Sequence, residues 1–445
     1  MGMGVTRTLR AIGNAALAGA LLLSAAPAAS ADSIRDNQWA LDAFDAEAIW
    51  KESTGEGVTV AVIDNGVNGL HPDLTGNVLR GKNFFDSGRA DRQTSTDHGT
   101  AMASIIAAHG HGPNNNEGVM GLAPDAKILP LKRDNEDGMF GEDTGTAAEM
   151  IRYAVDNGAS VINMSFAGGS LREGEEEAIA YAVEHDVVLV AGTGNTGSAT
   201  PGYPAAAPGV VAVGAVDRSG QIWEESNYGP HVMLTAPGVY IRTAGGTAPY
   251  QLSNGTSNAT AYVSGAIALL RAKFPDLTAG QVVNRLVKTA ALPDDMQGKS
   301  LPDERYGYGI IRPYRALTED IPAGPKQGPL KTPSAVVAEE SAAAAAAENA
   351  RKTEEALAER SRNTNTVLAV VGGAVLFLLV VAAVVVVVVV RRRGKDRNGG
   401  PPPGGPWTGG PGAGPGPGNA GWPQQHYGAQ QGGQPYAGGP NPYRQ

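Results

Sequence analysis

The sequence predicts an α/β fold, a mostly parallel sheet covered by helices on both faces, followed by a single membrane-spanning helix. Three observations carry that expectation. Short β-branched apolar runs, such as VTVAVI at 58–63, alternate with stretches of helical apolar spacing, a pattern that calls for crossover helices and strands buried on both sides. One small, glycine-bearing turn at 253–257 carries a serine straight into a long apolar helix pattern that runs to 273. Residues 366–390 hold no charge, which is long enough to cross a bilayer with some tilt.

Taken in order, residues 1–31 read as a cleaved secretory signal. Arg7 and Arg10 precede an apolar run through Leu21, Leu22 and Leu23, and Ala29, Ser30 and Ala31 form a small-residue cleavage site. The mature chain is expected to begin near Asp32. Residues 32–50 predict a short helix laid on the domain surface, with no long pro-segment before the core. A strand over 58–63 ends at Asp64. Helix 98–108, strand 126–131, helix 144–157, strand 161–164, helix 172–185 and strand 187–191 continue the alternation. Strands at 210–216 and 232–236 follow, then the helix after Ser257 and a last helix over 278–289. The folded domain is thus expected to span 32–320.

Residues 321–365 read as a proline-rich linker and an Ala/Glu-rich helical spacer. At about 1.5 Å per residue the helical part would hold the domain roughly 35 Å from the span. Arg391, Arg392, Arg393, Lys395 and Arg397 follow the span at 366–390 and orient its carboxyl end to the cytoplasm, with the large domain outside. The remainder of 391–445 is a Gly/Pro-rich disordered tail carrying Trp407, Trp422, Tyr427, Tyr436 and Tyr443. It reads equally as a solvated tail or a partner-binding polyproline segment.

Charge and cysteine usage exclude some chemistries. The net charge of −9 hides an asymmetry, because 32–320 holds 21 Lys and Arg against 37 Asp and Glu. Such an acidic domain is a poor binder of nucleic acid. There are no cysteines, so the domain relies on its core, without disulfides, thiol catalysis or a cysteine-metal site.

Four residues make a coherent reactive set. Ser257 should sit at the amino end of a buried helix, where unpaired N–H groups favour an oxygen acquiring charge. An isolated serine there usually just caps the helix, so partners must promote it. Asp64, at a strand end, can hold a histidine in one orientation; His98 opens a small-residue helix and can take the serine's proton. Asn195, in the turn GTGN after a strand, can donate into a site there. Serine attack on a carbonyl needs such a base and pre-aimed donors for the oxyanion. His109 and His111 form a second histidine pair, set aside as a metal site because no carboxylate ligands lie at fixed spacing.

The order Asp, His, Asn, Ser, with the motifs VAVIDNGV, HGTAMAS and GTSNATAYVSG plus INMSF and PGYPA, resembles the subtilisin-like serine proteases, over about 32–317. The resemblance implies a three-layer subtilisin-like fold and a serine-type endopeptidase. Asp64, His98 and Ser257 carry over as its triad and Asn195 as the oxyanion donor. Ser165, Phe166 and Ala167 would align substrate as an added strand, and Gly192, Thr193, Gly194 and Gly202 would line the side-chain pocket. Asn65, Ala101, Ala261 and Tyr262 depart from the family pattern without removing a catalytic group. The signal, carboxyl-terminal span and basic stub are similar to the mycosins, membrane-anchored subtilases of type VII secretion. That likeness implies protein or peptide substrates outside the cytoplasm, one bilayer span and secretion-machinery partners. It also allows a second reading, a scaffold component of a secretion complex with a little-used or covered protease site. No cofactor is required; the resemblance allows structural calcium, for which the loop 112–118 with Asn114, Asn115 and Asn116 offers oxygens.

Overall fold

The computed structural model describes residues 33–133 and 147–393. The signal sequence, the first residues of the 144–157 helix and the tail beyond 393 lie outside the described residues. Two units divide the chain, the first ending at Glu354 and the second starting at Glu355.

Eleven strands are described: β1 (Thr59–Asp64), β2 (Lys82–Asn83), β3 (His109–His111), β4 (Glu117–Met120), β5 (Lys127–Lys132), β6 (Val161–Met164), β7 (Val188–Gly192), β8 (Val210–Val216), β9 (Leu234–Pro237), β10 (Ile241–Ala244) and β11 (Tyr250–Ser253). Seven form one sheet in the order β2-β5-β1-β6-β7-β8-β9, with every pairing parallel. The others form two antiparallel hairpins, β3–β4 and β10–β11.

Strand alternation sorts the core into two layers. Val60 and Val62 of β1, Val188 and Val190 of β7 and Val211 and Val213 of β8 face one apolar cluster. Their neighbours Ala61, Ile63, Leu189, Ala191, Val210 and Ala212 face the other. Strands buried on both faces have few polar positions, which is why β1, β7 and β8 read as nearly unbroken apolar runs.

The helices are α1 (Ser33–Asp36), α2 (Trp39–Phe44), α3 (Ala46–Glu52), α4 (His98–Ala107), α5 (Ala147–Asp156), α6 (Glu175–Glu184), α7 (Thr256–Lys273), α8 (Ala279–Thr289), α9 (Pro313–Thr318) and α10 (Ser334–Arg393). α4 and α7 contribute to the first cluster, α5 and α6 to the second. α7 is buried along nearly its whole length, including polar Thr260 and Ser264.

The N-terminal segment departs from expectation. Instead of one surface helix there are three, and Trp39, Leu41, Phe44 and Ile49 belong to the first core cluster. Phe44 meets Tyr262 of α7 edge-on, with ring centroids 5.5 Å apart. Tyr262 is one of the positions that depart from the family pattern. Burial pushes its hydroxyl pKa far up, so it acts as neutral packing, and burying such an aromatic contributes roughly 1.5–3 kcal/mol.

The proline-rich stretch is not a free linker. Arg285 of α8 donates to the carbonyls of Ala316 (2.8 Å), Ile321 (3.1 Å) and Glu319 (2.6 Å). Gln281 donates to the Gly324 carbonyl at 3.0 Å, and Leu330 and Val336 are buried. The domain's packing therefore continues past 320. α10 joins the predicted spacer and the predicted span into a single helix. It is the one helix among the described residues long and apolar enough to cross a membrane, and its Val, Leu and Phe side chains from 367 to 390 are exposed.

Candidate active site

The carboxyl ends of β1, β6 and β7 and the amino ends of α4 and α7 carry the predicted site residues, as expected for loops at the strand ends of a parallel sheet. Asp64 closes β1 and is 7% exposed. Its Oδ1 accepts from the Asn65 N–H at 2.9 Å, and both carboxylate oxygens lie 2.9 Å from His98 Nδ1. The ring therefore donates from Nδ1, which in the neutral imidazole leaves the lone pair on Nε2.

The position of His98 is set from both sides. Gly99 N–H donates to Asn65 Oδ1 at 2.9 Å, and a Cβ at 99 would stand 2.1 Å from the Gly66 carbonyl oxygen. Only glycine lets the helix start this close to the strand exit. Asn65 is thus a clamp on the α4 end. On the other side, Asp97 accepts from the Thr247 hydroxyl at 2.6 Å and from the N–H groups of Gly246 and Thr247, both at 2.7 Å, tying down the β10–β11 turn.

Burial by itself would raise the Asp97 pKa, but the bonds from Thr247, Gly246 and Ala248 outweigh it and hold the carboxyl below its ordinary 3.8. A carboxylate depressed in this way stabilises the fold fully above its unfolded pKa and loses that contribution as pH falls through the lower folded value. Asp97→Asn should lower Tm at neutral pH by roughly 2–6 °C. The gap between variant and unaltered chain should close as pH falls through the depressed folded-state pKa of Asp97, as scanning calorimetry across pH would record.

Ser257 is the second residue of α7, whose N-cap Gly255 has φ 159°. Its hydroxyl donates to the Ser165 carbonyl at 3.1 Å, and the Ser165 hydroxyl donates back to the Ser257 carbonyl at 3.2 Å. Buried Asn163 extends this tie, donating to Ser165 Oγ at 2.9 Å and accepting from Ser264 Oγ at 3.0 Å. Asn195 Oδ1 accepts from both the N–H (2.9 Å) and the hydroxyl (2.8 Å) of Thr256. With its oxygen held twice, the amide is oriented so that Nδ2 lies beside Gly255, 3.5 Å from where a Cβ there would stand. Its donor points at the start of α7.

The predicted substrate contacts cluster beside this point. Cβ atoms built on Gly194 and Gly202 would lie 3.6 and 3.2 Å from Ala167 Cβ, so the three share one wall. Thr193 is fully buried, and what it brings to that wall is backbone: a Cβ at 202 would stand 2.6 Å from its carbonyl oxygen. Phe166 turns to a neighbouring cavity of about 250 Å³, with Ile151, Met164, Tyr203, Arg133 and Glu175 around it. The Arg133 guanidinium stacks 3.9 Å from the Phe166 ring centroid.

Sequence reasoning did not assign Asn65, Asp97, Asn163, Thr256 or Ser264. Small polar residues beside motif positions were the signal, and each turns out to fix a neighbour. Among the described residues the other histidines do not join the site. His71 bonds the Pro249 carbonyl, His109 the Gly110 and Thr75 carbonyls, and His111 the Asp73 carboxylate. Among the described residues no group of three or more His, Asp or Glu is placed to hold a metal.

Comparison with known proteins places the fold in a family. The model of the subtilase family matches residues 55–309. Fervidolysin of Fervidobacterium pennivorans is 34% identical over 339 residues, covering 68% of this chain and 46% of that protein. Subtilisin E of Bacillus subtilis is 40% identical over 269 residues, covering 58% of this chain and 65% of it. The chain therefore spans less than two thirds of either relative. Among solved structures, MycP1 from Mycobacterium smegmatis superposes with a TM-score of 0.58 at 31% identity, covering 68% of this chain and 89% of that one. With more than half its length matched by the family model and a parallel sheet that sets Asp64 against His98, this chain belongs to the subtilase family.

Proposed function

We propose that the chain is a serine endopeptidase that cleaves peptide bonds through an acyl-enzyme on Ser257. The observation that carries this reading is the His98 ring held at 2.9 Å by both oxygens of buried Asp64, at the carboxyl ends of the sheet strands, where α7 begins with Ser257 as its second residue. A turn of the Ser257 side chain away from the Ser165 carbonyl directs its hydroxyl to the base, an adjustment of the kind substrate binding commonly brings. His98 Nε2 takes the hydroxyl proton as Oγ attacks the scissile carbonyl carbon. Asp64 steadies the imidazolium and keeps its own charge. Asn195 Nδ2 and the Ser257 N–H donate to the oxyanion. The imidazolium then protonates the leaving amine, and water enters by the same route in reverse to release the acid.

The chain is further read as anchored by α10, with its catalytic domain outside the cytoplasm and acting beside a type VII secretion system. The exposed apolar face of α10 and the basic cluster after it support the anchor. Likeness to MycP1, described as an essential component of the type VII (ESX-1) system, supports the setting. A serine-directed fluorophosphonate tests the chemistry: the full chain should label, and Ser257→Ala should not. A folded, unaltered chain that stays unlabelled contradicts an activated serine.

A further inference from the structure

Structural calcium is the one resident group that the family resemblance brings to the loop 112–118, and the donors there do not fit it. Calcium needs six to eight oxygens free to turn toward it. The loop joins β3 to β4; its Asn114, Asn115 and Asn116 are exposed, and the oxygens packed at its base are the carbonyls of Glu117 and Gly118 and the fully buried carboxylate of Asp73. All three are already engaged by the protein's own side chains, Arg35 and His111. Arg35 Nε donates to the Gly118 carbonyl and Arg35 Nη2 to the Glu117 carbonyl, each at 3.1 Å. Asp73 accepts from His111 Nδ1 at 2.5 Å and from the Val119 N–H at 2.8 Å. The loop's own carboxylate, Glu117, stands 3.5 Å from His111 Nε2.

Space is as closed as the hydrogen bonding. A Cβ at Gly118 would stand 2.2 Å from Asp73 Oδ1, and one at Gly110 would stand 2.3 Å from Arg35 Nη2. We infer that the Arg35 guanidinium and the His111 imidazole hold this loop in calcium's place, so the β3–β4 hairpin is fixed by the chain's own N-terminal helix and not by a metal. A guanidinium suits the task because its charge is permanent and its planar fork reaches two adjacent carbonyls together. Gln38, three residues on, repeats the clasp. Its Oε1 accepts from the Met120 N–H and its Nε2 donates to the Met120 carbonyl, both at 2.8 Å. The hairpin then depends on residues 35–38 staying attached, not on ion concentration.

Thermal unfolding of the full chain in detergent, carrying Ser257→Ala to prevent self-cleavage, tests this independently of catalysis. Tm should be the same in millimolar calcium as in excess EGTA. Arg35→Ala should lower it by roughly 3–6 °C in both, and Arg35→Lys, which keeps the charge but not the fork, by less. Two results overturn the inference: a calcium-dependent rise in Tm that Asp73→Asn abolishes, or an Arg35→Ala chain as stable as its parent. Should Arg35→Ala fail to fold, terbium luminescence of the parent decides. No saturable signal supports the internal side-chain clasp, whereas a saturable signal that calcium competes away and Glu117→Gln weakens overturns it.

Discussion

Alanine in place of His98 should lower kcat on a peptide substrate by about 10⁶-fold with KM little changed, the scale known for subtilisin itself when its histidine or serine is removed. The hydroxyl of Ser257 is then left with the Ser165 carbonyl as its acceptor, and a carbonyl oxygen is too weak a base to carry a proton away. The His98 side chain is 44% exposed, so truncation opens no buried cavity and Tm should move by only about 1–2 °C. Steady-state kinetics beside a melting curve separate the two effects. Turnover within tenfold of the unaltered chain would take His98 out of the role of base.

Asp64→Asn should cost about 10⁴-fold in kcat. The substitution is nearly isosteric and keeps one acceptor for the Asn65 N–H. What changes is the partner of the ring: an amide NH2 set against Nδ1 makes that nitrogen an acceptor, and the proton moves to Nε2. A ring protonated at Nε2 cannot accept from serine. Loss of kcat with unchanged KM and unchanged Tm is the expected pattern. A loss smaller than tenfold would mean that the ring's orientation is fixed by something other than the two 2.9 Å contacts.

The central strands and the placement of the four candidate residues were legible because burial on both faces leaves a continuous apolar signature and because each motif falls at a strand end or helix start. β6 and β8 match their predicted limits to the residue. The short strands were not legible. β2 has two residues and β3 reads His-Gly-His, too little sequence to carry a period of two. The N-terminal segment misled for another reason. Its apolar residues at 39, 41, 44 and 49 describe an amphipathic surface helix equally well, and only the groove beside Tyr262 and Val239 turns them inward. Partnerships such as Asn195 with Thr256, or Arg35 with the Glu117 carbonyl, join positions 61 and 82 apart. No local pattern announces them.

The way Trp39 is held has a consequence for how the molecule comes into being. Its indole donates to the Val239 carbonyl at 3.1 Å, across 200 residues, and the Ser53 hydroxyl donates to the Leu269 carbonyl at 2.8 Å, across 216. Strand β9 is completed later still, by Gly309 and Ile311 exchanging bonds with Thr235. Contacts so distant in sequence form late, because the entropy of closing the intervening chain comes before any of their stabilisation. A chain made from its amino end holds Asp64 and His98 early but lacks α7 until residue 273 is out and the completed β9 edge until residue 311 is out. Proteolytic competence is therefore expected only after synthesis of the domain is nearly complete, once its two ends have met.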